Sequence, residues 1–279
     1  MKSLINSIFA TCGFELRRSM TFQRTAVSIV LSLFPPTMLG LLIFGSIVAR
    51  SRMGEAEAAT FGPGVQEISK VLTILMVALI TLLSLLLWAT PNVSSELEGK
   101  SWSFLASRPG GRISVFLGKY LASFLITFFI ATIAYSICVL LCSRLLGLYQ
   151  PERLWFSMAG IYFLASAVYA AIFSLIGTIF IKRAMVFAAG YVIGSEIILA
   201  SLPGALINKF TIRFHLQELG IQWIGWFLPG STEAEFRDVF GPSWPPWIHV
   251  GILFTIASLA LAIGSWVIVS REYVISDEA

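Results

Sequence analysis

Apolar residues in this chain do not alternate with polar ones; they run on between widely spaced charges. Six stretches lie between charged residues: Arg24 to Arg50, Lys70 to Glu96, Lys119 to Arg144, Arg153 to Lys182, Arg183 to Lys209 and Asp238 to Arg271. Only the fifth is interrupted, by Glu196. One helical crossing of a bilayer takes about 20 mostly apolar residues, so each stretch is long enough to span it. Amphipathic surface helices of a soluble domain do not produce such runs. The pattern predicts an all-α membrane protein with six transmembrane helices, with residues 1–279 forming a single membrane domain.

The polar punctuation adds detail. Leu4, Ile5, Ile8, Phe9, Cys12 and Leu16 share one helical face, which predicts an amphipathic helix over 1–24 lying along the membrane surface. Ser3, Asn6, Ser7 and Thr11 dilute its apolar run, and Glu15, Arg17 and Arg18 follow where a signal peptide would carry small residues, so no cleaved signal is expected. Pro35-Pro36 in the first span predicts a kink or a re-entering segment. Lys182-Arg183 predicts a tight turn with spans four and five packed as a hairpin, and Gly190 and Gly194 form a small-xxx-small pair. Residues 209–246 hold Trp223, Trp226, Trp244 and Trp247 and many Phe, the composition of re-entrant or interfacial helices at the outer surface.

Composition agrees and adds orientation. Hydrophobic residues make up 57% of the chain and charged ones 12%, leaving no room for a separate soluble catalytic domain. With six crossings both termini share one side, and that side carries eleven basic and six acidic residues against eight and eight on the other. Basic residues are retained on the cytoplasmic face, so both termini and the loop between spans two and three are expected there, in a multi-pass protein of the cell membrane. The excess charge then faces anionic lipid headgroups, and no nucleic-acid partner is needed to explain it. Cys138 and Cys142, one turn apart, read as packing residues with no metal-type spacing.

Few residues carry candidate chemistry. Gly99-Lys100-Ser101 ends like a phosphate-binding loop, but the position that needs the first glycine is Ser94. His215 and His249 have no evident carboxylate partner in sequence, so no catalytic residue, metal site or cofactor is predicted in this chain. Glu196 is the one acidic residue within a predicted span, and such a group must face protein or water. It is placed either on a translocation path or dimer interface, or in helix packing with hydrogen bonds to Tyr191, Ser195 or a neighbouring helix. The loop over 91–116 is the other concentrated signal. Ser95 can cap a short helix with Glu96 and Glu98 in its first turn, while Leu97, Trp102, Phe104 and Leu105 supply apolar positions before Pro109. A short charged helix of this kind suits a protein partner or a lipid interface.

The run Ser95-Glu96-Leu97-Glu98-Gly99-Lys100-Ser101, then Leu105-Ala106-Ser107-Arg108-Pro109 and Leu117-Gly118-Lys119-Tyr120-Leu121, resembles the coupling loop of type-2 ABC exporter permeases. A weaker match covers Tyr191 to Leu216, an aromatic-rich helix with a Glu followed by Leu202-Pro203-Gly204. Lys100-Ser101-Trp102 departs from the Thr and smaller residues more usual there. The resemblance implies a permease that hydrolyses nothing itself. A separate ATPase subunit would bind ATP and Mg, and Ser95, Glu96, Glu98, Gly99, Lys100, Trp102 and Phe104 would couple to it. A second copy or a paralogue would complete a homodimer or heterodimer, with Glu196 near its centre. The rivals are a non-transporting scaffold or mechanical component of an ATPase complex, an ion-coupled secondary transporter, and an intramembrane enzyme. The second normally shows internal repeats, and both it and the enzyme several buried ionisable groups.

Overall fold

The computed structural model describes residues 2–52, 55–92, 94, 96, 110–146, 151–199, 208–224 and 244–271. These residues are helical throughout, with no strand. In chain order the helices are α1 (Lys2–Ser19), α2 (Phe22–Arg50), α3 (Glu55–Trp88), α4 (Gly111–Leu145), α5 (Pro151–Ile179), α6 (Ala184–Tyr191), α7 (Ile212–Ile224) and α8 (Pro246–Ser270). α6 continues as a π-helix over Val192–Leu199. Among the described residues four helices have the length and composition to cross a membrane: α2, α4, α5 and α8. α3 is of similar length to α4, and its apolar helical part is described over Ile74–Trp88. Large apolar side chains such as Phe44, Leu140, Phe156 and Trp266 cover the outer surface, as expected where lipid replaces water.

α5 is the centre of the bundle. Its Ala165, Val168, Ala170, Ala171 and Phe173 are buried in a cluster with Leu85 of α3, Ala131 and Tyr135 of α4, Leu219 of α7 and Leu253 of α8. Close helix approach needs small residues, and three glycines supply it. A Cβ on Gly264 of α8 would enter the Phe116 ring of α4, and one on Gly177 of α5 would meet the Thr90 carbonyl beyond α3. A Cβ on Gly118 of α4 would lie 2.6 Å from Thr11 Cβ and 2.9 Å from the Ile8 carbonyl of α1. Polar pairs bridge the helices: the Ser84 and Thr127 hydroxyls meet at 2.9 Å, and Trp155 Nε1 donates to Ser136 Oγ at 2.8 Å.

Several boundaries differ from the sequence reading. α2 runs without interruption through Pro35 and Pro36, both buried. α4 begins at Gly111, directly after Gly110 with φ of 70°, so residues 111–116 of the expected coupling loop are its first turns and Lys119 lies inside the helix. Lys182 and Arg183 sit in a 3₁₀ turn, Ile181–Arg183, between α5 and α6, and Ala188 of α6 packs back into the core. α7 is a short helix within 209–246, where re-entrant or interfacial helices were expected, and its Ile212, His215 and Leu219 are fully buried against α5 and α8. The apolar stripe of α1 is divided. Cys12 is buried and Leu4 and Ile8 approach α4, whereas Ile5 and Phe9 are 45% and 65% exposed. Cys138 and Cys142 pack with Leu39 and Ile43.

Candidate functional site

Two buried polar constellations stand out, one at the end of the bundle near α1 and one beside the middle of α5. At the first, Lys119 Nζ lies 2.6 Å from Glu96 Oε1 and 3.3 Å from Glu15 Oε1. Arg18 reaches the same two oxygens at 3.0 and 3.5 Å. Two cations thus alternate with two carboxylates, and the Lys119 and Glu96 side chains are only 4% and 7% exposed. Local sequence explains the arrangement. Gly118 lets α1 lie directly on the α4 backbone, which places Glu15, one turn beyond Thr11, beside Lys119. Ion pairs removed from water are stable only when both signs are present and well placed, so this node fastens three segments distant in sequence. Next to it, burial raises the Cys12 thiol above its ordinary value, as for an unreactive packing cysteine.

Glu96, one of the residues expected to couple to an ATPase, is 5% exposed and paired with Lys119 and Arg18. Ser95, Glu98, Gly99, Lys100, Trp102 and Phe104 lie outside the described residues. Glu96 therefore holds the beginning of the loop against α1 and α4. The preceding turn is held as well, with Thr90 against Gly177.

The second constellation surrounds Glu196, which is 3% exposed. Its Oε2 accepts from Tyr169 Oη at 2.7 Å and from the Arg213 backbone N–H at 2.8 Å. Its Oε1 accepts from Ser195 Oγ at 3.0 Å and Tyr191 Oη at 3.2 Å. Arg213 returns the contact, its guanidinium donating to the Glu196 carbonyl at 3.0 Å. Each helix terminus thereby supplies what the other lacks. The first N–H groups of α7 have no partner within their own helix; Glu196 takes that of Arg213, and Thr211 Oγ1 takes that of Phe214 at 3.3 Å. A carboxylate at a helix N-terminus is also favoured by the helix dipole. Among the described residues Glu196 is enclosed by its hydrogen-bond donors and joins α5, the π-helix and α7.

α7 is tied to α8 at two further points. His215 Nδ1 and His249 Nδ1 are 2.9 Å apart, His215 Nε2 meets the Lys209 carbonyl at 3.0 Å, and Trp244 stacks on His249. Gln222 Nε2 donates to the Trp244 carbonyl at 2.9 Å. α7 is not one of the spanning helices, and burial, reinforced by His249, pushes the His215 imidazole down to about 4.

Sequence reasoning found Glu96 and Glu196 but missed Glu15, Lys119, Tyr169, Arg213 and the histidine pair. One signal was available: Glu15 falls on the face of Leu4, Ile8 and Cys12, where an unpaired carboxylate would be costly. Among the described residues no group of three or more His, Cys, Asp or Glu could hold a metal ion. No protein-family model and no curated protein matches the chain.

Proposed function

We propose that this chain is the membrane-spanning permease subunit of an ATP-binding-cassette transporter of the type-2 exporter kind. In this reading six segments cross the membrane, both termini and the loop after α3 are cytoplasmic, and two permease chains assemble with a separate ATPase that binds ATP and Mg. The observation that carries the reading is the node of Glu15, Arg18, Glu96 and Lys119. A loop that receives force must be joined stiffly to the helices it moves. Here its first residues are fixed to α4 through Lys119 and to α1 through Arg18. A push on the loop is passed to both helices together, and α4 leads it into the bundle around α5. Glu96 then acts as a positioning residue, leaving Glu98, Lys100, Trp102 and Phe104 as the groups that meet the ATPase.

Co-purification of the tagged permease with its ATPase from detergent or nanodiscs tests this. Trp102→Ala and Glu98→Ala should weaken recovery of the ATPase while the spans stay folded, because apolar anchors and charge-assisted contacts carry much of a small interface. Glu96→Gln should retain the ATPase but reduce transport per ATP hydrolysed. Full recovery of a coupled complex with Glu98 and Trp102 both replaced would overturn the assignment of the loop. Labelling of a single cysteine at position 100 from outside intact cells would overturn the orientation.

A further inference from the structure

The histidines of α7 and α8 can be assigned their protons by counting. A hydrogen bond between two ring nitrogens holds one proton, so across the 2.9 Å gap one Nδ1 donates and the other accepts. His215 Nε2 faces the Lys209 carbonyl, which only accepts, so that nitrogen carries a proton. With His215 neutral, its Nδ1 is the acceptor and His249 Nδ1–H the donor. Two protons on the pair satisfy all these contacts. A third places a positive charge between rings that are 0% and 1% exposed, next to Phe214 and Trp244. A fourth sets two N–H groups against each other and abolishes the bond.

Lys209, before α7, holds its Nζ 5.0 Å over the Trp244 ring and disfavours a second cation there. Arg213 is bonded to the Glu196 carbonyl, and Glu218 is buried one turn along α7 from His215. α8 brings no charged residue between Pro246 and Ser270. α5 offers the hydroxyls of Tyr162 and Tyr169, the latter bonded to Glu196.

We propose that the His215–His249 pair is an acid-opened latch between α7 and α8, closed while the pair holds two protons and released as it takes up more.

Amide hydrogen exchange of the full chain in phospholipid nanodiscs tests it, read over 212–224 from about pH 7.5 to 4.5 after correction for intrinsic exchange. In the wild type, protection of α7 should fall by about tenfold or more toward acid, the change that one unit of proton affinity produces, while α5 keeps its protection. His249→Phe should have low α7 protection at both ends of the range and a flat profile. His249→Asn presents an amide N–H where the imidazole has Nδ1–H, so it should recover protection at neutral pH and lose less in acid. It also decides the matter if His249→Phe does not fold. Constant protection in the wild type, or a wild-type profile in His249→Phe, overturns the latch. So does a loss that Glu218→Gln flattens and His249→Phe leaves in place, since Glu218 would then be the titrating group.

Discussion

Replacing Lys119 by Met removes the shared cation of the node while keeping most of the side-chain volume. Glu15 and Glu96 each present an oxygen to the same Nζ, at 3.3 and 2.6 Å, so those oxygens are at most about 6 Å apart. Without the lysine, Arg18 is the cation described between them, and its side chain is 39% exposed. Two unit charges at that separation repel by roughly 3 kcal/mol at an effective dielectric constant of about 20. Breaking a buried pair by removing one partner costs about 3–5 kcal/mol, and the attraction to solvated Arg18 returns part of it. Undocking of α1 from α4 should therefore become easier by about 2–4 kcal/mol. Each 1.4 kcal/mol is tenfold, so amide exchange in α1 should accelerate by roughly 30-fold or more. α5, which contributes no residue to the node, serves as the internal standard. The triple variant Lys119→Met, Glu15→Gln, Glu96→Gln removes the stranded charges and should recover much of the protection, because the penalty belongs to unpaired charge. Exchange in α1 of Lys119→Met within about threefold of wild type would refute the reasoning. So would a triple variant worse than the single one.

Two further outcomes follow from the geometry. Glu196→Leu strands four donors at once, including the α7 backbone N–H of Arg213, and should cost several kcal/mol of stability, read as a lowered thermal midpoint in nanodiscs; Glu196→Gln, which keeps its oxygen toward Arg213, should cost less. Gly177→Ala drives a methyl into the Thr90 carbonyl and should destabilise by about 1–3 kcal/mol, whereas Gly190→Ala, with open space around its Cβ, should be neutral by the same measurement.

The membrane helices were legible because lipid-facing surface imposes a long, continuous apolar signal, and α2, α4, α5 and α8 carry it without ambiguity. The end of the expected coupling loop was not. Arg112 lies within its expected bounds and Lys119 just past them, but Arg112 donates to the Val269 carbonyl of α8 and Lys119 is paired with acids from elsewhere, so α4 reaches beyond its apolar run. The sites divide in the same way. A lone acid in an apolar stretch marks itself, as Glu196 does, and its neighbours Tyr191 and Ser195 could be named from proximity. Arg213, 17 positions away, and His215 with His249, 34 apart, meet only through the packing of α7. Pairings of this kind leave no periodicity, since each member looks like an ordinary interfacial residue until its partner arrives.

The reciprocal contacts between Glu196 and Arg213 also bear on biogenesis. A long apolar helix satisfies its own backbone and can leave the insertion machinery for lipid by itself, as α2, α4, α5 and α8 are suited to do. α7 cannot. Its opening N–H groups depend on Glu196 and Thr211, and its buried histidine depends on α8, which is synthesised after it. Released into lipid alone it would carry open donors and a polar ring into hydrocarbon. The order of assembly follows: α5 and α6 must be in place, α7 waits in a polar setting, and the arrival of α8 closes the site. Arg213→Ala, and to a lesser degree His249→Phe, should thus be slowed late, as fully inserted chains that mature poorly, and quality-control proteases would see them as assembly defects and not as insertion defects.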